Sequence, residues 1–123
     1  MSVAQLLKEH CRLFEKEKGV VLDLACGEGQ NGLYLVKQNI ETIFADINSE
    51  PLKNLQTQSN IHQEDCWLAD YESTTSIDVS KLSKMQLQGM IVFRYLHRPL
   101  FDAIKQAVKP GGYIIYETFT EDN

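Results

Sequence analysis

The stretch that most constrains this chain is Val20-Val21-Leu22-Asp23-Leu24-Ala25, followed at once by Cys26-Gly27-Glu28-Gly29. A near-continuous apolar run, β-branched at its start, reads as a strand buried on both faces, as strands of parallel sheets are. Glycines directly after it allow a tight turn at backbone angles that other residues avoid. Leu33, Leu35 and Val36 then fit a helix ending at Gln38-Asn39. Asp23 is the anomaly: a carboxylate within an apolar strand is costly unless another group meets it.

The rest of the chain repeats the alternation. Val3, Leu6, Leu7, Cys11 and Phe14 recur at helical spacing and predict an amphipathic helix, closed by the charged residues 15–18 and then Gly19. Residues 40–45 form a second apolar strand, with Asp46 at its end. Ser49 and Pro51 open a helix carrying Leu52 and Leu55. A third strand is expected around Cys66-Trp67-Leu68, and residues 72–84 read as loop with a short helix. Residues 89–93 make a fourth strand. Pro99 opens a helix carrying Leu100, Ile104 and Val108, which Lys109-Pro110-Gly111-Gly112 terminates. Tyr113 to Tyr116 is a fifth strand. Strands alternating with helices predict an α/β fold: a parallel sheet with helices on both faces. Such sheets bind ligands beyond the carboxyl ends of their strands.

Length and composition narrow the class. The 123 residues suit a single domain spanning 1–123. A net charge of −5 argues against a nucleic-acid or anionic-membrane surface. No apolar run is long enough to span a bilayer, and the first residues lack a signal-peptide pattern. Cys11, Cys26 and Cys66 are odd in number and contain no CxxC pair, so neither a disulfide framework nor a metal site is expected, and a cytoplasmic setting is.

Gly27-Glu28-Gly29-Gln30-Asn31-Gly32 satisfies G-x-G-x-x-G between a strand and a helix, the context in which that pattern binds nucleotides. The neighbouring acids decide which nucleotide. Asp23 would repel a nearby pyrophosphate and suits an amine. Asp46, ending the second strand, stands where an acid accepts hydrogen bonds from ribose hydroxyls. Together they describe a ligand with an amine at one end and a ribose further on, and S-adenosylmethionine has both.

Val21-Leu22-Asp23-Leu24-Ala25-Cys26-Gly27-Glu28-Gly29 resembles motif I of the class I S-adenosylmethionine-dependent methyltransferases, with Ala25 in place of the first glycine of the commonest form. Phe44-Ala45-Asp46, Ala69-Asp70-Tyr71 and Val108-Lys109-Pro110-Gly111-Gly112 match further family segments. Gly29-Gln30-Asn31-Gly32-Leu33-Tyr34-Leu35, residues 93–100 and Tyr116-Glu117-Thr118-Phe119 are similar to small bacterial members of the tellurite-resistance type. The resemblance, over residues 19–119, implies a Rossmann-like three-layer sandwich with strand order 3-2-1-4-5, ending here after the fifth strand. It implies donor contacts at Asp23, Ala25, Cys26, Gly27, Gly29 and Asn31 around the glycine turn. Further contacts fall on Asp46 and Ile47 at the ribose, Asp70 and Tyr71 at the adenine, and Arg94 after the fourth strand. Other readings stay open. Asp23 could cap its turn, Asp46 could cap the next helix, and Tyr71 or Trp67 could flank the adenine or belong to the core.

Arg94, Tyr95 and His97 follow the fourth strand and are the candidates for orienting or deprotonating a small-molecule acceptor; the competing reading has them packing and capping the next helix. Full-length members add an antiparallel hairpin beside the fifth strand. Its absence here predicts an exposed edge over residues 113–118 and a homodimer across it. It also leaves two alternatives to a methyltransferase: a donor-binding domain without turnover, and a nicotinamide- or flavin-binding Rossmann domain, which Asp23 disfavours.

Overall fold

A computed structural model describes residues 2–73 and 75–118. Five strands form one sheet in the order β3-β2-β1-β4-β5: β1 (Val21–Leu24), β2 (Thr42–Asp46), β3 (Cys66–Leu68), β4 (Leu87–Phe93) and β5 (Val108–Glu117). Every neighbouring pair is parallel. Helix α1 (Gln5–His10) precedes the sheet, and α2 (Gln30–Lys37), α3 (Ser49–Gln58), α4 (Ile77–Ser83) and α5 (Phe101–Ala107) connect its successive strands. The expected fold class is the observed one.

Strand alternation sorts the core. Leu22, Leu24, Met90 and Val92 pack with Leu82 of α4 and Ala103, Ile104 and Ala107 of α5. Val21, Ile91 and Ile115 pack with Leu7 of α1 and Leu35 of α2. Phe44 packs with Leu52 and Leu55 of α3. Helices therefore cover both faces, and Asp23, alternate to Leu22 and Leu24, points to the face that α2 covers. No helix among the described residues is long and apolar enough to cross a membrane.

Several elements depart from the sequence expectation. The first helix does not run to the charged stretch: α1 stops at His10, a 3-10 turn (Cys11–Leu13) follows, and Phe14 is extended. A residue distant in sequence holds the stretch beyond that turn. Buried Gln88 of β4 donates to the carbonyls of Glu15 and Gly19, both at 2.7 Å, and accepts from the Glu15 N–H at 3.0 Å. It clamps residues 15–19 as a turn. Val36, assigned to the apolar face of its helix, is exposed; Asn31 and Gly32 are buried instead. Residues 109–112 are not a turn between helix and strand. They lie within β5 as a bulge opposite Gln88, since Leu87 pairs with Val108 and Gly89 with Tyr113. Glycine is required there: a Cβ on Gly112 would stand 2.4 Å from the Gln88 carbonyl oxygen.

Candidate functional site

The site forms at the carboxyl end of the sheet, around the loop from β1 to α2. Asp23 is 3% exposed. Its Oδ2 accepts the N–H of Gly32, in the first turn of α2, at 3.0 Å. Such first-turn amides have no partner within their own helix, so a carboxylate here satisfies one of them. That bond does not offset the loss of water. Burial, with a smaller contribution from the Asp46 charge, pushes the Asp23 carboxyl up to about 7. Gly32 permits the approach, because a Cβ there would fall 2.4 Å from Phe44 and 2.7 Å from Asp23 Oδ2.

Asp46 holds the other side of the loop. Its Oδ2 accepts the N–H of Gly27 at 2.9 Å, and its Oδ1 accepts the N–H of Asn48 at 3.0 Å. Two carboxylates at the ends of adjacent strands thus frame one glycine loop. Gly27 has φ +54, and nothing stands within 4 Å of where its Cβ would be. Gly29, at φ +82, abuts Leu55. Ala25 and Arg94 also adopt left-handed backbone angles, φ 57 and 59, at the ends of the paired strands β1 and β4. Residues held in that region cluster at functional sites. Arg94 is fixed by its own N–H, which donates to the Glu117 carbonyl at 2.8 Å.

A cleft of ≈ 880 Å³ opens over this framework. Asp23, Ala25, Cys26, Gly27 and Asn31 line one wall, and Phe93, Arg94 and Glu117 line the other. Residues 2–5 close a third side. Asn31 holds them, its Oδ1 accepting the Ala4 N–H at 2.8 Å. No pattern near the start of the chain signals this contact, which depends on where α2 places Asn31. A second cleft of ≈ 760 Å³ between α2 and α3 shares Glu28 and Gln30 with the first and reaches Asn48.

Cys26 is buried, and burial together with the Asp23 and Asp46 charges pushes its thiol far up. It is no thiolate nucleophile at neutral pH.

The remaining sequence candidates separate. Ile47 follows Asp46, and its N–H donates to the Tyr71 hydroxyl at 3.2 Å. Tyr71 is 2% exposed and Trp67 packs against the α4–α5 side of the core with the Lys81 ammonium 5.0 Å from its ring centre. The enclosed ring of Tyr71 matches the core reading left open for it. Asp70 is exposed and accepts the Ser73 N–H at 3.3 Å within its own turn. Of the acceptor-side candidates, only Arg94 reaches the cleft wall. The Tyr95 hydroxyl donates to Glu72 Oε2 at 2.8 Å, and burial and that carboxylate keep the phenol protonated. His97 Nε2 is buried without a hydrogen-bond partner among the described residues, outside the cleft lining. Glu117 lines the cleft, while Phe119 lies outside the described residues.

Comparison with known proteins follows the same lines. A family model described as "Tellurite resistance protein TehB" matches residues 7–122. A search of curated proteins found no significant match. Among solved structures, the chain resembles a SAM-dependent methyltransferase from Archaeoglobus fulgidus, with a TM-score of 0.71 and 21% identity, covering 94% of this chain and 51% of that one. It also resembles the glycopeptide N-methyltransferase MtfA complexed with S-adenosylmethionine, at TM-score 0.63, 15% identity, and coverage of 87% and 51%. A third is coclaurine N-methyltransferase bound to N-methylheliamine and S-adenosylhomocysteine, at TM-score 0.65, 17% identity, and coverage of 92% and 34%. The chain spans about half the length of the first of these structures.

Proposed function

Since the chain belongs to the TehB family of tellurite resistance proteins, a family of the S-adenosylmethionine-dependent methyltransferase type, we propose that it binds S-adenosylmethionine and transfers its methyl group to a small-molecule acceptor. The observation that carries this reading is the pair of buried carboxylates, Asp23 and Asp46, framing a left-handed glycine loop with open space above Gly27. Asp23 suits the ligand's ammonium group, and Asp46 suits ribose hydroxyls, which would compete for the oxygens that Gly27 and Asn48 now occupy. The open space at Gly27 lets the ligand lie against backbone. The ionised form of Asp23 that an ammonium favours would repel a pyrophosphate, which disfavours a nicotinamide dinucleotide.

When bound, S-adenosylmethionine would supply an electrophilic sulfonium methyl, with S-adenosylhomocysteine as the leaving group. The chain's own contribution is position. Asp23 and Asp46 would hold the two ends of the donor, and Phe93, Arg94 and Glu117, which line the cleft with Asp23, would align an acceptor. No strong base is required beyond what removes an acceptor proton. A second reading, donor binding without turnover, is favoured by the engagement of Tyr95 with Glu72 and by the placing of His97 outside the cleft lining.

Calorimetry with S-adenosylmethionine, S-adenosylhomocysteine and NAD tests the cofactor. Dissociation constants in the micromolar range for the first two and none measurable for NAD are expected; binding of NAD alone below about 1 mM would overturn the reading. Product formation from methyl-labelled donor across a panel of small acceptors separates turnover from binding.

A further inference from the structure

We propose that Tyr71 is a positioning residue that sets the nucleoside end of the site through the backbone of Ile47 without touching the ligand. The inference rests on the cofactor reading above. Four strand ends meet here through aromatic side chains. Ile47 follows β2, Tyr71 follows β3, Tyr95 follows β4 and Tyr116 lies near the end of β5. The Tyr116 hydroxyl donates to the Tyr95 carbonyl at 2.6 Å. The Tyr95 ring meets the Tyr71 ring edge-to-face, with centroids 5.4 Å apart and planes at 83°. The Tyr71 hydroxyl accepts the Ile47 N–H at 3.2 Å.

The Ile47 amide lies between two residues already joined, since Asp46 Oδ1 accepts the Asn48 N–H at 3.0 Å. Tyr71 therefore fixes the middle of the turn that aims the Asp46 carboxylate at Gly27. Burial and the nearby Asp46 charge both hold the Tyr71 phenol in its protonated form. As a neutral hydroxyl it accepts the amide without placing a second negative charge beside Asp46. Tyr95, anchored at both its carbonyl and its hydroxyl, stops the Tyr71 ring from moving away. The segment on the acceptor side of the sheet thereby braces the segment on the donor side.

The test is titration calorimetry of S-adenosylhomocysteine and of adenosine with wild type, Tyr71→Phe and Tyr71→Leu, alongside thermal unfolding. Tyr71→Phe keeps the ring and removes only the hydroxyl that accepts the amide. Loss of that one hydrogen bond should weaken both ligands by the same factor, roughly threefold to tenfold, at temperatures well below unfolding. Amide exchange at Ile47 in the ligand-free protein should speed up as well. Wild-type affinity in Tyr71→Phe would overturn the inference, and so would a loss confined to Tyr71→Leu, the pattern of a ring that stacks on the purine. Failure of the wild-type chain to bind S-adenosylhomocysteine would overturn the cofactor reading, and this inference with it.

Discussion

Asp23 is the residue where folding and binding oppose each other. Its carboxyl ordinarily titrates near 3.8 and is pushed up to about 7 in the fold, mainly by burial. The folded state therefore holds this proton more tightly than the unfolded chain does. The stability Asp23 contributes is fully present below pH 4, declines as pH rises, and is lost above about 7. The loss is at most roughly 4 kcal/mol. Asp23→Asn should accordingly hold its unfolding temperature between pH 5 and 8, where the wild type declines. The same substitution should abolish binding of an amine-bearing ligand. An ammonium group favours the ionised carboxyl, so wild-type binding of S-adenosylhomocysteine at pH 6 should release a proton, read by calorimetry in buffers of different ionisation enthalpy. A variant that declines with pH as the wild type does would count against the assigned burden on Asp23. Asp46→Ala should weaken the same ligand by roughly 1.5–3 kcal/mol for each ribose hydrogen bond lost; unchanged affinity would refute the ribose assignment. Both acids were legible in the sequence because each is an odd residue in an apolar strand. Asn31 and Tyr71 were legible only as positions. That Asn31 holds Ala4, and that Tyr71 is enclosed, depend on segments far away in the chain.

Within the glycine loop, similar residues carry different loads. Gly32 is packed, so Gly32→Ala forces a methyl against Phe44 and Asp23 and should cost about 1–3 kcal/mol in chemical denaturation. Gly27 faces open space, so Gly27→Ala should cost only about 1–2 kcal/mol for its φ of +54 and yet block ligand approach to the backbone. The two variants should part company, the first losing stability most and the second losing binding. Equal losses in both assays would show that the loop does not divide its work in this way. Elsewhere the period-two and helical patterns located the elements but not their ends. The first helix looks continuous to Phe14 because its apolar spacing is. It stops at His10, and the stretch beyond is held by Gln88, a polar strand residue that donates to the carbonyls of Glu15 and Gly19. The short helix α4 arises in the least patterned stretch, where Ser76 accepts the Val79 N–H at 3.2 Å and Ile77 is left 84% exposed. Periodicity is silent there because little of that helix faces the core.

At the scale of the molecule, the outer edge of β5 pairs with no other strand among the described residues, and Tyr113 and Ile114 are exposed along it. An apolar edge of this kind favours pairing with another strand. We propose a second copy as that partner, giving an antiparallel pair of β5 strands about a twofold axis. Sedimentation at micromolar concentrations should show a dimer that Ile114→Lys disrupts, and a monomer throughout would refute it. The sheet itself was legible from the sequence. A buried apolar strand, a glycine turn and a helix repeat with little room for any arrangement but parallel strands joined by crossovers, and the acids at two strand ends mark where a ligand belongs. Local pattern determined that much, because it depends on residues close together in the chain. Only the tertiary structure decided that residues 109–112 form a bulge against Gln88, that residues 2–5 close the cleft, and that Tyr95 faces Glu72 rather than the cleft. These depend on backbone groups and side chains brought together from distant segments. Which polar group meets which is set by packing, for which no local spacing in the sequence is a signal.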